Sequence, residues 1–244
     1  MFNIIYSVCD ANPDVLEKHL KIWKSIPKNI ISQLRFFIID DCSKTPLNLN
    51  IDFPINLIIP RITTDIYWNP PGAKNLGFLL ADNDWIFSCD IDHFTPIESF
   101  ERMLSLNKVR NNLYLFERFL PNGESRKKNT PNIFIIHRED FWKTGGYDED
   151  FSGYHGFDDY VFVGNLFATH QPSLIKNLGI KFIQTDIPII EHKEYETGDT
   201  IKKIESHKYS EPLMYKKLNE LSKGIYKHGS IIRFQWEILK EYTI

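Results

Sequence analysis

The stretch WIFSCDID at residues 85–92 is a short apolar run that ends in two aspartates, Asp90 and Asp92. A short apolar run bounded by polar residues predicts a buried β-strand. Residues two apart in an extended chain project to the same side, so we expect the two carboxylates to share one face where this strand ends. Hard carboxylate oxygens in such a pair favour a bound Mg²⁺ or Mn²⁺ ion.

Strands and helices alternate before this segment. The buried strands predicted there are Phe2–Val8, Leu34–Ile39 and Ile55–Ile59, and the helices are Pro13–Ile26 and Pro71–Ala81. Short connections between alternating strands and helices are typical of an α/β sheet that is mostly parallel and covered by helices on both faces. The sequence therefore predicts the α/β class.

The second half of the chain continues this pattern with weaker signals. Its predicted elements are a strand pair at Asn112–Phe119 and Asn132–His137, a helix at Asp158–His170, a strand at Phe182–Ile190, and C-terminal helices at Leu213–Leu221 and Ile231–Tyr242. The polar stretch Glu191–Glu211 is expected to be a loop with one helical turn. The connection between the paired strands contains Arg126-Lys127-Lys128, which indicates a solvated loop or a contact for an anionic group.

Composition limits the class of protein. The 244 residues are 42% hydrophobic and 25% charged, which fits one soluble globular domain with terminal additions. The net charge of −3 argues against a nucleic-acid footprint, and three scattered cysteines give no disulfide framework. No apolar run is long enough to span a membrane and no signal peptide is recognisable, so a cytoplasmic location is expected. The apolar C-terminal stretch leaves peripheral membrane contact open, and the oligomeric state is not determined.

Three predicted strands end in polar residues. The first ends at Ser7, the second at Asp40 and Asp41, and the fourth at Asp90 and Asp92. Ligands of open parallel sheets bind outside the carboxyl ends of the strands, so these residues are expected to line one site.

A glycine-rich block, GGYDEDFSGYHGFDD, occupies residues 145–159. Its four glycines permit tight turns and close approach to a ligand, and Tyr154 and Phe157 offer aromatic faces on which sugar rings stack. Asp158 and Asp159 follow at a predicted helix start, where the helix dipole stabilises carboxylates. The pair is either a helix cap without catalysis or a general base beside a ligand-binding carboxylate.

These segments together resemble the glycosyltransferases of the GT-A fold. FSCDID at 87–92, followed by Pro96, resembles the metal-binding DxD segment of that group. IIDDCS at 38–43 resembles its D-D-x-S segment, which faces the nucleotide base. PGAKNLG at 71–77 resembles the helix that precedes the DxD segment. The glycine-rich block is similar to the GGxDE…GWGxED block of family 2 and of the galactosyltransferase C-terminal-domain group, which includes β-1,4-galactosyltransferases and polypeptide GalNAc-transferases. Phe157 stands where that block usually has the acidic residue of its ED pair, Tyr154 replaces its Trp, and His155 replaces a Gly.

The resemblance implies a metal-dependent inverting glycosyltransferase that moves a galactose-, N-acetylgalactosamine- or glucose-type sugar from a nucleotide-diphosphate donor of the UDP-linked type to a glycan or other hydroxyl acceptor. Asp158 would be the catalytic base, and Asp159, Tyr154 and Phe157 would bind the acceptor. The donor would contact Ser7, Asp40, Asp41, Lys74, Asp90 and Gly146. The metal, Mn²⁺ or Mg²⁺, would be held by Asp90, Asp92 and His192, and an imidazole ligand favours Mn²⁺.

The same resemblance implies a role in polysaccharide biosynthesis and a GT-A catalytic domain over residues 1–210. Its nucleotide-binding half would be 1–95 and its acceptor and catalytic half 96–210, followed by a helical extension at 211–244. The polar stretch Lys193–Glu211 is expected to close as a lid over bound donor. Two other classes stay open, a sugar-nucleotide nucleotidyltransferase and a non-catalytic sugar-binding module.

Overall fold

One β-sheet organises the protein in a computed structural model that describes residues 1–10, 13–126, 130–164, 166, 171–191 and 200–244. The strands of the described residues are β1 Phe2–Val8, β2 Leu34–Asp41, β3 Leu57–Ile62, β4 Trp85–Asp90, β5 His93–Phe94, β6 Asn112–Phe119, β7 Ser125–Arg126, β8 Phe134–His137, β9 Lys181–Glu191 and β10 Trp236–Tyr242. Their order across the sheet is β10-β3-β2-β1-β4-β8-β6-β9-β5, and β7 pairs with β6.

Helices lie on both faces of this sheet. They are α1 Pro13–Lys24, α2 Lys28–Ile31, α3 Pro70–Leu80, α4 Ile97–Ser105, α5 Arg138–Lys143, α6 Asp158–Phe162, α7 Leu174–Asn177 and α8 Thr200–Ser222, with a 3₁₀ turn at Glu149–Phe151. The central strands β3, β2, β1 and β4 run parallel to one another, and β6 runs parallel to β9. The α/β class with a mostly parallel central sheet is confirmed.

Alternation along β1 separates two hydrophobic cores. Ile4 and Tyr6 face the core that α1, α2 and α4 cover, whereas Ile5 faces the core beneath α3, α5, α6 and α8. A Cβ atom at Gly77 of α3 would lie 2.6 Å from Ile5 Cγ2, so only glycine lets α3 pack this closely on β1. This close packing brings the first turns of α3 to the edge of the sheet where β1 and β4 end.

Three secondary-structure predictions for the second half of the chain need correction. The helix predicted at Asp158–His170 ends at Phe162 as α6, and Gly164 has a φ of +101°, which no helix tolerates. The loop predicted at Glu191–Glu211 is wrong for its second half, because α8 already begins at Thr200. The first half of α8 packs through serine hydroxyl groups and has no repeating apolar stripe. The sequence therefore shows helical periodicity only from Leu213 onward.

The helix predicted at Ile231–Tyr242 is also wrong, because residues Trp236–Tyr242 form strand β10. Apolar residues fall at 232, 234, 236 and 238, and this spacing of two is the signature of a strand. The strand pairs antiparallel with β3 and covers what would otherwise be a bare sheet edge. The chain after residue 211 therefore contributes both a helix and a strand, and the domain division at 210 stays a prediction.

Candidate active site

The polar strand ends meet at one edge of the sheet. Ser7 of β1 pairs in register with Asp90 of β4, and Val8 pairs with Asp40 of β2. Because these strands are parallel neighbours, their carboxyl ends lie side by side. The structure thus brings together Ser7, Asp40 and Asp90, as the sequence predicted, and the donor contacts assigned to them stay predictions.

The two aspartates of β2 have different surroundings. Asp40 is fully buried, and its carboxylate accepts hydrogen bonds from Ser43 N at 2.9 Å, Leu47 N at 2.9 Å and Arg61 Nη1 at 2.6 Å. These contacts make Asp40 the support of the loop that follows β2. Asp41 accepts a hydrogen bond from Asn69 Nδ2 at 3.2 Å, and burial raises its pKa to about 7.

The raised pKa of Asp41 predicts how stability depends on pH. A carboxyl whose pKa is raised by folding stabilises the protein below its unfolded pKa of 3.8, and that stabilisation is lost as the pH rises through about 7. Asp41→Asn keeps the acceptor oxygen for Asn69 but cannot ionise. We expect the difference in free energy of unfolding between the variant and the wild type to rise in favour of the variant by up to about 4 kcal/mol from pH 4 to pH 8, as measured by urea unfolding. Parallel pH profiles of the two proteins would contradict this.

A buried lysine joins the strand end to the glycine-rich block. Lys74 of α3 is 3% exposed, and its Nζ lies 3.3 Å from Asp90 Oδ1 and 3.7 Å from Asp159 Oδ1. It also lies 5.2 Å from the centre of the Tyr147 ring. Burial alone would lower the pKa of Lys74, but the charge of Asp90, followed by that of other nearby groups, raises it well above its usual value.

Asp90 is held on both oxygens. Besides Lys74, it accepts a hydrogen bond from Asn132 Nδ2 at 2.8 Å. Burial raises the pKa of Asp90, but the charge of Lys74, with further help from His93 and Asn132, lowers it below its usual value, so the carboxyl stays ionised. Asn132 gave no signal in the sequence, because only the fold brings it to the end of β4.

Asp92 lies in a turn, since β4 ends at Asp90. The expectation that the two aspartates share a face of extended chain is therefore wrong. Asp92 Oδ1 lies 2.6 Å from His93 Nδ1, and its side chain is 31% exposed. Its predicted role in metal binding stays a prediction, and His192 lies outside the described residues.

Asp158 and Asp159 open α6 and differ in exposure. Asp158 is buried and its carboxylate accepts backbone N–H groups of the first turn, whereas Asp159 is partly buried and its carboxylate contacts Lys74. Burial raises the pKa of both, and the charge of Asp158 adds to the rise for Asp159. Phe157, just before the pair, has a φ of +70°, a strained backbone of the kind found beside functional residues.

The glycine-rich block is fixed from behind by packing. A Cβ atom at Gly146 would lie 2.7 Å from Asn75 Oδ1, so this glycine is required for the block to rest on α3. Asn75 also donates to Glu149 Oε1 at 2.9 Å, and Glu149 is fully buried. The packing of the block on α3 therefore explains why residue 146 is a glycine, and its contact with a donor stays a prediction.

Aromatic side chains from distant segments surround the front of the block. Tyr154 is 37% exposed and stacks on Tyr209 of α8 with ring centres 5.4 Å apart. The His155 ring lies 4.2 Å from the Trp68 ring, and its Nδ1 lies 3.0 Å from His207 Nε2. The sequence predicted Tyr154 and Phe157 here but missed Trp68, His207 and Tyr209.

Carboxylates outnumber cations at this edge. Asp90 and Asp159 both contact the Lys74 ammonium, Asp158 lies beside Asp159 at the start of α6, and Asp92 lies in the turn that follows Asp90. The described residues contain no cluster of three His, Cys, Asp or Glu side chains placed to hold a metal. The oxygen donors fit a hard divalent cation that is held by one or two carboxylates and completed by ligand phosphates, rather than one held by a protein cage.

Comparison with solved structures gives the chain a GT-A glycosyltransferase-like fold. S. aureus TarS in complex with UDP-GlcNAc is 11% identical with a TM-score of 0.55, covering 81% of this chain and 59% of that one. GalNAc-T7 with UDP, GalNAc and Mn²⁺ is 11% identical with a TM-score of 0.55, covering 91% and 51%. This chain thus spans little more than half the length of either structure. No protein-family model and no curated protein matches the sequence.

None of the helices in the described part of the chain has the length and apolar composition needed to cross a membrane.

Proposed function

We propose that this protein is a glycosyltransferase that moves a sugar from a UDP-linked donor to a hydroxyl group of a glycan acceptor, with inversion and with a divalent cation. One observation supports this most: Lys74 links Asp90, at the acidic strand end, to Asp159, in the glycine-rich block. Sugar transfer requires the groups that bind the donor, at the strand end, to lie beside the groups that activate the acceptor, in the glycine-rich block.

The nucleotide half of the proposal rests on the ends of β1 and β2. A cavity of about 320 Å³ there is lined by Asp10, Ser43, Lys44, Thr45 and Leu47. It lies beside Asp40, which accepts hydrogen bonds from the backbone of Ser43 and Leu47, and the resemblance puts the nucleotide base at this segment. The Lys74 ammonium is suited to the diphosphate, and Asp90 and Asp92 would hold Mn²⁺ or Mg²⁺ there. Such an ion offsets the charge that develops on the leaving diphosphate.

The acceptor half rests on the Asp158–Asp159 pair. In inverting transfer the acceptor oxygen attacks the anomeric carbon, its proton passes to a carboxylate, and the bond to the diphosphate breaks. The resemblance assigns the base to Asp158. Two observations favour Asp159 instead: the residue is less completely buried, and its carboxylate contacts Lys74 beside the donor. We therefore propose Asp159 as the base and Asp158 as the residue that orients it or the acceptor.

Sugar rings of the acceptor would stack on Tyr154 and Phe157, which lie on the loop that leads into α6 and the base. Aromatic faces bind sugars through their apolar C–H surfaces. The stacked ring of Tyr209 extends this surface onto α8.

A donor screen tests the function directly. UDP-, GDP- and dTDP-linked sugars are incubated with the protein, Mn²⁺ and a glycan mixture, and the released nucleotide diphosphate is measured. We expect release of UDP above the control that lacks protein. Release of pyrophosphate from a sugar phosphate and UTP would instead indicate a nucleotidyltransferase, and binding without release would indicate a sugar-binding module.

Asp92→Ala tests the cation site. The side chain is partly exposed and contacts His93, so we expect the fold to survive. We expect calorimetry to show that Mn²⁺ increases the affinity for UDP in the wild type and has no such effect in the variant. Asp82→Ala is the matched control, because it removes another partly exposed, paired aspartate far from this edge. An unchanged effect of Mn²⁺ in Asp92→Ala would remove this residue from the site.

A further inference from the structure

The turn that joins Asp90 to Asp92 lies outside the strand ladder, so other contacts must hold it in place. β4 ends at Asp90, residues 91 and 92 form the turn, and the short strand β5 follows and pairs with β9. Ile91, between the two aspartates, is buried in the core that α1 covers. Its backbone carbonyl cannot join the ladder within the turn, and it therefore needs a donor from elsewhere.

His19 of α1 supplies this donor. Its Nε2 lies 2.7 Å from Ile91 O, and the residue is fully buried. A carbonyl oxygen only accepts hydrogen bonds, so Nε2 carries the proton of the ring. Nδ1 is buried and has no hydrogen-bond partner in the part of the chain that the structure describes. The ring is thus an imidazole with one N–H group, and that group points at the turn.

The surroundings of His19 keep its ring neutral and fixed. The rings of Tyr6, Trp23 and Phe94 lie 4.9, 5.4 and 4.7 Å from the imidazole. Burial lowers the pKa of His19 to about 4, so the ring carries no charge at neutral pH. A hydrogen bond in such a low-dielectric core is stronger than one in water. The packed ring can therefore hold Ile91 O at one place.

We propose that His19 is a positioning residue, which holds this turn so that the carboxylates of Asp90 and Asp92 are placed to bind the divalent cation. The proposal rests on the proposed function for the cation and on the structure alone for the hydrogen bond. Ile91 is bonded directly to both aspartates, so a shift of its backbone moves both. Replacing a residue that orients metal ligands typically lowers metal affinity by roughly 10- to 100-fold.

Two substitutions separate the ring of His19 from its N–H group. His19→Phe keeps an aromatic ring in the core and removes the donor, whereas His19→Gln keeps an amide N–H donor and removes the ring. We expect calorimetry with UDP to show that the gain in affinity caused by Mn²⁺ falls roughly 10-fold in His19→Phe and persists in His19→Gln. Urea unfolding should give the opposite order, with His19→Gln the less stable variant, because it loses packing against three aromatic rings.

Tyr6→Phe is the matched control. It removes a hydrogen bond in the same core, between Tyr6 Oη and Thr95 Oγ1 at 3.2 Å, and leaves the donor to Ile91 in place. Its response to Mn²⁺ should equal that of the wild type. An unchanged Mn²⁺ effect in His19→Phe would overturn the proposal, as would an Mn²⁺ effect that falls in step with stability across the three variants.

NMR spectroscopy of the ring nitrogens tests the hydrogen bond without any ligand. Long-range proton–nitrogen correlation spectra should show His19 protonated at Nε2, and protonation at Nδ1 instead would overturn the proposal, because Nε2 could then not donate. If UDP itself does not bind, the proposed function fails. Mn²⁺ alone should then still broaden the amide signals of Asp90 and Asp92 less in His19→Phe than in the wild type, and equal broadening would count against His19.

Discussion

Asp159→Asn is expected to lower kcat by roughly 10²–10⁴-fold, the usual contribution of a general base. The substitution keeps the size of the side chain but removes its negative charge and its ability to take a proton. Affinity for UDP with Mn²⁺ should be unchanged or tighter, because a negative charge 3.7 Å from Lys74 Nζ is lost. Steady-state kinetics with the donor found by the screen, together with calorimetry of UDP binding, measure both effects.

Asp158→Asn is the matched variant, since it makes the same chemical change one residue away. We expect it to raise the KM for the acceptor and to lower kcat far less than Asp159→Asn. If Asp158→Asn abolishes turnover and Asp159→Asn does not, the base is Asp158, as the resemblance implies. If neither variant loses more than a few-fold in kcat, the base is not in this pair.

The sheet and its acidic edge could be predicted from the sequence, because each buried parallel strand is recognised from its own apolar run. Buried apolar runs identify β1, β2 and β4, and neighbouring parallel strands end together. Ser7, Asp40 and Asp90 therefore meet once those strands are identified. The turn at Asp92 was not predictable, because nothing in the local sequence shows that the strand stops at Asp90.

The contacts from distant segments could not be predicted, because they depend on how α8 docks. Ser210 Oγ of α8 donates to His155 O at 2.8 Å, and Ser206 accepts from the His155 backbone. Hydroxyl groups that dock a helix leave no apolar period in the sequence. Tyr209 reaches the glycine-rich block only as a consequence of this docking.

Lys74 was found by resemblance alone, since a single lysine in an apolar helix has no diagnostic spacing. Its importance comes from the close packing of α3 on β1 at Gly77, which carries the lysine to the sheet edge. The same packing buries the ammonium among carboxylates from two other segments. A residue that connects three segments is visible only after folding.

Lys74→Met is accordingly expected to lower the free energy of unfolding by about 3 kcal/mol, because it leaves two carboxylates in a buried setting without their cation. It should also weaken UDP binding, since the proposed partner of the diphosphate is gone. Urea unfolding measures the first effect and calorimetry the second. Lys74→Arg keeps the charge and should recover part of the UDP affinity.

Lys217→Met is the matched control for this prediction. Lys217 is also 3% exposed, and its Nζ lies 2.8 Å from Asp148 Oδ2 and 2.7 Å from Asp150 Oδ2, so its loss breaks a comparable buried contact. We expect a similar drop in stability, with UDP affinity retained in the folded protein, because this lysine lies behind the glycine-rich block. Equal losses of UDP affinity in the two methionine variants would mean that Lys74 acts only by supporting the fold. An unchanged unfolding free energy in Lys74→Met would show that solvent, and not Lys74, stabilises the carboxylates at the sheet edge.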